Sequence, residues 1–186
     1  MIKLEIKPTI IGEKIILRPF KDDDYNDIEE CLKDPEVNKL TGSDSGYDEK
    51  RIREWYRTRN IQTDRLDMAI IDKTTNRLVG EVVVNMYDEE KSSMNYRILI
   101  GPRGRDKGFG TEATELMVNY VFVNTDLKQL TLGVYAFNPR ALRVYKKVGF
   151  VLESIEKDDL EYEGEMIDSY NMVLTRETWK RYNYSK

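Results

Sequence analysis

The chain has 186 residues, a hydrophobic fraction of 40% and a formal net charge of −4, which predicts one domain over residues 1–186 with a sizeable core. The absence of histidine and the single cysteine, Cys31, exclude an intramolecular disulfide and Ser-His-Asp or Cys-His catalysis, and they argue against a metal site. No long apolar run predicts a membrane span and no apolar signal-peptide core follows Met1, so we expect a cytoplasmic protein.

Strand and helix patterns alternate along the chain. In chain order, the sequence predicts a strand at residues 14–18, helices at 22–33 and 48–60, strands at 66–72, 77–86 and 94–100, a helix at 111–124, a strand at 129–135, a short helix from 139, and strands at 150–155 and 166–175. Polar turns at 73–76 and 88–93 separate strands that would pair as hairpins. Strands, a crossover helix and further strands predict a mixed α/β (α+β) fold.

A glycine-bearing turn, residues 105–110, joins a predicted strand to the helix that begins at Thr111. Such a turn presents unpaired backbone N–H groups at the positive end of the helix dipole, which favours phosphate oxygens. Gly108 and Gly110 lack a Cβ atom and allow a close approach, and the two basic residues of the turn add cationic donors. The glycine order matches neither a P-loop nor a dinucleotide-binding turn, and an ordinary solvated turn is an equal alternative.

A second segment, residues 138–150, follows the predicted strand at 129–135. Asn138 is a good helix N-cap, Pro139 suits the first helical position, and Gly149 suits the C-terminal cap. Tyr145 lies on the apolar side of this helix. Taken alone, the segment predicts a short, well-capped helix with Tyr145 as a packing residue.

Together the two segments resemble the GNAT superfamily of acetyl-CoA-dependent N-acetyltransferases. They carry Arg-x-x-Gly-x-Gly and then, about thirty residues later, Asn-x-x-Ala-x-x-x-Tyr-x-Lys-x-Gly-Phe. The resemblance is closest to the branch that holds the Rim-type ribosomal-protein and the spermidine N-acetyltransferases, and it extends over most of the chain. Residues 12–20 look like the first strand of that branch, and residues 34–37 look like the turn after its first helix.

This resemblance implies a mixed, mostly antiparallel central sheet flanked by helices, acetyl-CoA as co-substrate, no metal, and direct acetyl transfer to a primary amine. Tyr145 would be the general acid for the leaving thiolate, because a phenol stays protonated at neutral pH. A tyrosine that only packs and orients the sulfur is the competing role. The implied cofactor-binding residues are Leu99 and Ile100 along the pantetheine arm, Arg105, Asp106, Lys107, Gly108, Phe109, Gly110 and Thr111 at the pyrophosphate, and Asn138 from the facing helix.

Asn138 acting only as an N-cap is an alternative of nearly equal weight. Lys147 would reach a cofactor phosphate or would be an ordinary solvated charge.

Two positions depart from the family pattern. Asp106 stands where the family often has glycine, and its negative charge near the phosphates would be offset by Lys107. Gly133 stands where some members carry a glutamate base, five positions before Asn138. The base must therefore come from elsewhere, with a water chain as the alternative to three carboxylates. The candidate bases are Glu81, Glu165 and Asp168.

The acidic residues are concentrated near the C-terminus. Residues 151–168 carry eight acidic side chains against Lys157, a net charge of −7, so the remainder of the chain is +3. In the branch that the chain resembles, this segment lies beside the acceptor groove, where a negative field would attract a cationic amine. A polyamine, an aminoglycoside-like molecule or a basic protein N-terminus would fit, whereas a solvated acidic hairpin around Gly164 explains the charges equally well. The sequence contains no basic stripe with interleaved aromatic residues, so nucleic acid is not an expected partner.

Three functions are compatible with these features. The favoured one is an N-acetyltransferase that acts on a small-molecule or peptide amine. The alternatives are a catalytically silent acyl-CoA-binding regulatory module and a nucleotide-binding protein that uses the same glycine turn. A homodimer is compatible with the sequence, which locates no interface.

Overall fold

A mixed sheet forms the centre of the protein, for which we describe a computed structural model over residues 4–43 and 46–184. Within these ranges eight strands form one sheet in the order β1-β2-β3-β4-β5-β6-β8-β7. The strands are β1 (Ile10–Ile11), β2 (Ile15–Arg18), β3 (Leu66–Asp72), β4 (Arg77–Asp88), β5 (Ser93–Ile100), β6 (Gln129–Tyr135), β7 (Val151–Tyr162) and β8 (Glu165–Thr175).

Helices cover both faces of this sheet, and the mostly antiparallel arrangement confirms the predicted fold class. In the described ranges, no helix combines the length and the apolar character that crossing a membrane requires. The α-helices are α1 (Tyr25–Lys33), α2 (Pro35–Thr41), α3 (Glu49–Arg59), α4 (Phe109–Asn124), α5 (Pro139–Val148) and α6 (Arg176–Tyr184), and short 3-10 turns lie at Asp22–Asp24 and Pro102–Gly104.

The sheet separates two hydrophobic cores. Strand β3 is buried on both faces, as expected for a run that is apolar at nearly every position. Its Met68 and Ile70 pack on the side of α4, where Met117 contributes to the same core. Alternate residues of β3 face the opposite core, which includes Cys31 of α1. Burial raises the pKa of the Cys31 thiol to about 12, so this thiol stays protonated and only packs.

Strands β5 and β6 form the one parallel pair among the described strands, and they pair at only three positions. Ser93, Met94 and Asn95 lie opposite Gln129, Leu130 and Thr131, and beyond these residues the two strands have no further registered partners. A parallel pair needs a crossover connection, which α4 supplies on one face of the sheet. The separation of β5 from β6 therefore opens a gap next to the N-terminus of α4.

Several elements differ from the sequence-based expectation. Residues 34–37, expected as a turn, begin helix α2, because the Asp34 side chain accepts a hydrogen bond from the N–H of Val37 at 2.9 Å and Pro35 takes the first helical position. Helix α4 begins at Phe109 rather than Thr111. Strand β7 continues to Tyr162 although its exposed acidic residues lack an apolar alternation, and the C-terminal helix α6 was not predicted.

We predict that Arg176 anchors α6 to the end of α4. Its guanidinium donates hydrogen bonds to the carbonyl oxygens of Phe122 in the last turn of α4, at 2.6 Å, and of Thr125 and Leu127 just beyond the helix, at 2.5 and 2.7 Å. Arg176→Ala should lower the free energy of unfolding by about 2–3 kcal/mol, since three charge-assisted hydrogen bonds are lost. Arg176→Lys should be intermediate, because it keeps the charge without the fork. Urea denaturation measures both, and an unchanged midpoint in the alanine variant would contradict the role.

Candidate active site

A cavity of about 460 Å³ occupies the gap where β5 and β6 separate. Its walls come from the second half of β5, the turn before α4, the end of β6 and the facing helix α5. Lys107 does not line the cavity, although the sequence placed it in the same set as its neighbours. The predicted residues that do line it are Leu99, Ile100, Arg105, Asp106, Gly108, Phe109, Gly110, Thr111, Asn138 and Tyr145.

The turn before α4 has the backbone that an anion site requires. Gly108 immediately precedes the first helical residue. Its φ of +79° lies in the left-handed region, which glycine adopts without strain. Among the described residues no side chain caps this helix end. The first-turn N–H groups therefore lie at the cavity wall without a capping partner, at the positive end of a 16-residue helix. An alanine Cβ at Gly110 would meet Ile100 and Val144 at 3.8 and 3.9 Å, which are ordinary contact distances.

The basic side chains near this turn contact carboxylates of α2. Arg105 is ion-paired with Asp34 and lies 2.8 Å from the Glu36 carboxylate. Arg140 of α5 lies 3.2 Å from Glu36 and 3.6 Å from Asp106. Burial alone would raise the pKa of Asp34, but the hydrogen bond from Arg105 lowers it below its ordinary value. These pairs join α2 to the turn and to α5.

Lys107 does not offset the charge of Asp106, contrary to the sequence-based expectation. Its Nζ lies 3.8 Å from the Asp72 carboxylate and 5.6 Å from the centre of the Phe109 ring. The cation near Asp106 is Arg140 instead.

Tyr145 is held on α5 with its ring in the core and 5% of its surface exposed. The Tyr96 ring meets it edge-on with centroids 6.2 Å apart, and the Phe150 ring lies 5.9 Å away. Burial raises the pKa of Tyr145 above its ordinary value, and the nearby charge of Arg97 offsets part of the rise. Its hydroxyl has no hydrogen bond to another residue of the described part of the chain, so Tyr145 is a protonated donor at the cavity wall.

The ring beside Tyr145 is connected to the glycine turn. The Tyr96 hydroxyl donates to Thr114 Oγ at 2.8 Å, and that hydroxyl donates to the carbonyl oxygen of Gly110 at 2.6 Å. A shift of the turn would therefore be transmitted to the ring that packs against Tyr145.

Asn138 caps α5 as its sequence position suggests. Its Oδ1 accepts a hydrogen bond from the N–H of Ala141 at 3.1 Å, and the residue also borders the cavity.

Of the three carboxylates considered as bases, only Glu81 lines the cavity. It lies on β4, and its Oε2 accepts a hydrogen bond from the Tyr56 hydroxyl at 2.9 Å. Burial raises the pKa of Glu81 to about 7, although the bond from Tyr56 lowers it. Asp168 lies outside the cavity wall and is paired with Lys157 at 2.6 Å; that hydrogen bond lowers the pKa of Asp168. Glu165 is exposed at the start of β8.

Several cavity residues were not predicted from the sequence. The apolar alternation of β5 could have indicated Asn95 and Arg97, which lie on the opposite face from Tyr96. The contribution of α2 depends on long-range packing that no local pattern indicates. The acidic segment 151–168, which the resemblance placed beside the acceptor groove, contributes Glu156 and Asp159 to the cavity lining. The unpredicted lining residues are Val37, Leu40, Thr41, Val83, Asn95, Tyr96, Arg97, Ile98, Gly104, Val134, Tyr135, Arg140, Ala141, Val144, Ser169 and Asn171.

Comparison with known proteins identifies the class. Residues 14–151 match the family described as "Acetyltransferase (GNAT) domain", and the chain belongs to this family. The chain is therefore an acetyl-CoA-dependent N-acyltransferase, as the sequence resemblance predicted.

Relatives match this chain over most of their length. An N-acetyltransferase 9-like protein from Caenorhabditis briggsae is 26% identical in an alignment of 183 positions that covers 90% of this chain and 92% of the relative. An uncharacterized N-acetyltransferase p20 from Bacillus licheniformis is 24% identical, over 90% of this chain and 96% of that protein. The fold is similar to that of spermidine N-acetyltransferase from Vibrio cholerae, solved in complex with CoA and spermine (TM-score 0.82, 20% identity, 91% of this chain, 99% of that chain).

Proposed function

We propose that the protein transfers an acetyl group from acetyl-CoA directly to a cationic primary amine within the cavity between β5 and β6. The observation that carries the proposal is the set of groups that line the cavity. Three groups border the same space. They are the uncapped N-terminus of α4, the buried and protonated phenol of Tyr145, and the carboxylate of Glu81 with its raised pKa. These are a site for phosphate oxygens, an acid and a base, which acyl transfer to an amine requires.

The cofactor would lie along the free side of β5. Beyond Asn95, this strand pairs with β4 but has no registered partner on the β6 side, so backbone groups of Leu99 and Ile100 are available to the amides of a pantetheine arm. The pyrophosphate would meet the amides at the start of α4. In this arrangement the turn residues Arg105, Asp106, Gly108, Phe109, Gly110 and Thr111 surround the phosphates, Lys107 stays outside the cavity beside Asp72, and Asn138 approaches from α5.

The chemistry that the residues would perform is proton transfer around a nucleophilic substitution. Acetyl-CoA supplies a thioester whose carbonyl carbon accepts the amine. The Glu81 carboxylate takes a proton from the ammonium or the attacking amine, because only the neutral nitrogen has a free electron pair. As the C–N bond forms and the C–S bond breaks, the Tyr145 hydroxyl gives its proton to the leaving sulfur. The two groups border the cavity from different strands and helices, β4 and α5.

A cationic acceptor is favoured by the negative charges of the wall. Glu156 and Asp159 border the cavity from β7, on the segment with a net charge of −7. A concentration of one sign in a cleft attracts the opposite charge and speeds its capture. The similar fold from Vibrio cholerae is a spermidine N-acetyltransferase solved with spermine, which agrees with an amine of this class. Polyamines, aminoglycoside-like molecules and protein N-termini all meet this description.

The test of the activity is thiol release from acetyl-CoA with spermidine, spermine, aminoglycosides and peptides that begin with Ser or Ala, for the wild type and Tyr145→Phe. We expect amine-dependent release that falls by about 100-fold or more in the variant, the size of a general-acid effect. Acetyl-CoA affinity and the free energy of unfolding should stay the same, because the hydroxyl has no hydrogen bond within the described ranges. Equal turnover in the variant would remove the acid role, and no release with any amine would contradict the activity.

The phosphate site is tested by two glycines of similar backbone conformation. Gly108 (φ +79°) borders the cavity, whereas Gly164 (φ +83°) lies in the β7–β8 turn, and a Cβ atom there would meet nothing within 4 Å. Alanine should cost about 1–2 kcal/mol of stability at either position, because both backbones are left-handed. Only Gly108→Ala should weaken acetyl-CoA binding, by about tenfold or more in a calorimetric titration. Equal affinity in the two variants would contradict the placement of the phosphates.

The pH dependence tests Glu81. A general base is active only in its ionised form. As the pH is lowered through the Glu81 pKa of about 7, kcat/KM should therefore decrease. Glu81→Gln should remove this limb and lower kcat by about 100-fold or more. Asp168→Asn, at the carboxylate that lies outside the cavity, is the matched control and should leave the profile unchanged. A profile that keeps its limb in Glu81→Gln would assign the base elsewhere.

A further inference from the structure

Three aromatic rings form a row that begins at the cavity wall. Tyr135 of β6 borders the cavity and stacks on Phe137, with centroids 5.6 Å apart and an interplanar angle of 28°. Phe137 in turn contacts Tyr162 at the end of β7, with centroids 5.7 Å apart. We call Tyr135, Phe137 and Tyr162 the aromatic cage.

An ammonium group already occupies the cage. The Nζ atom of Lys39, from helix α2, lies 5.1 Å from the centre of the Tyr162 ring and 5.5 Å from that of Phe137. Both distances are within the range of cation–π attraction. Within residues 4–43 and 46–184, Lys39 has no ion pair with a carboxylate, and its half-buried ammonium contacts these two rings. The cage therefore has the geometry of an ammonium site, and Lys39 shows which chemical group fits it.

The cage adjoins the charged part of the cavity through Tyr135, because Tyr135 and Glu156 both border the cavity and both pair with Ser169 of β8. Glu156 and Asp159 border the cavity from the same strand that supplies Tyr162. A molecule that extends outward from the cavity would pass these carboxylates on the hairpin side and Tyr135 on the β6 side. An elongated amine with a second positive charge would meet favourable partners along this path.

We propose that the aromatic cage is a second cation subsite, which binds an ammonium group of the acceptor other than the one that is acetylated. Lys39 leaves the rings when this group binds. The inference rests on the proposed function and narrows its acceptor to amines that carry at least two ammonium groups. A protein N-terminus would qualify only with a basic side chain close behind it.

The test compares spermine with n-butylamine, which has a single ammonium group. Lys39→Met removes the competing charge and keeps a long apolar side chain. Because one cation–π contact is replaced, KM for spermine should fall about fivefold while KM for n-butylamine stays within twofold. Phe137→Leu should raise KM for spermine about fivefold and leave KM for n-butylamine unchanged. Tyr162→Leu, at the half-buried outer end of the cage, repeats this test if Phe137→Leu folds poorly.

The control is Lys33→Met. The Lys33 Nζ also lies over a tyrosine ring, 4.5 Å from the centre of Tyr47, but Tyr47, unlike Tyr135 of the cage, does not line the cavity. This variant should leave both KM values unchanged. If Lys39 only fastens α2 to the rings, Lys39→Met will raise KM for both amines, which would overturn the subsite. Equal shifts for spermine and n-butylamine in Phe137→Leu would also overturn it.

A calorimetric titration separates the subsite from the activity. Spermine binding to the protein in the presence of CoA does not depend on acetyl transfer. If the wild type acetylates neither amine, the proposed function fails, but the subsite is still supported when spermine binds Lys39→Met about fivefold more tightly than the wild type. Equal spermine affinity in the two proteins would contradict the subsite whether or not turnover is seen.

Discussion

Strands β5 and β6 pair at three positions and then separate, and the remaining features of the site depend on this break. A polar backbone group in the interior of a protein needs a partner, so a sheet that opens in its middle leaves a row of donors and acceptors for something else to satisfy. The crossover helix α4 must lie beside the gap because it connects these same two strands. The positive end of its dipole thus reaches the gap through topology, and the glycine turn only shapes the approach.

Helix α2 bridges the gap on one side. This helix of seven residues carries carboxylates at its start and an ammonium group near its end. Its first-turn carboxylates contact Arg105 and Arg140, and Lys39 contacts the aromatic cage. Both groups of contacts involve residues next to the cavity. An anion at the start of α4 and a cation at the cage would each compete with α2 for its partners, so ligands of opposite charge would act on the two ends of one short helix.

Local pattern predicted most of the fold. Strands β3 and β6 were located at their observed bounds because their apolar residues are continuous or alternate clearly, and α5 was located by Asn138, Pro139 and Gly149. Helix α2 was missed because it is short and begins with Asp-Pro, which also favours a turn. The C-terminal helix α6 was also missed, and its position depends on the contacts of Arg176 with the end of α4.

The sequence predicted the identity of the site residues better than their partners. The motif indicated Arg105 and Tyr145, but the partner of Arg105 lies 71 residues away in the chain, and no local spacing predicts a charge pair at that separation. Glu81 was one of three candidate bases of equal standing in sequence terms. It differs from the other two through burial beside Tyr56 of α3, which is a property of tertiary packing. The role of the ring of Phe137 likewise depends on a lysine from the other half of the chain.

Strand β7 forms the outer edge of the sheet, and one row of its backbone groups therefore has no neighbouring strand in the described sheet. Val151, Leu152 and Ile155 on this strand are 55%, 51% and 44% exposed, a composition that favours pairing with the edge of another copy. The carboxylates between and beyond them repel such a copy, since two identical edges would bring like charges together. The acidic residues of this strand therefore also oppose self-association in solution, and replacing them together would leave an edge strand that pairs with other copies.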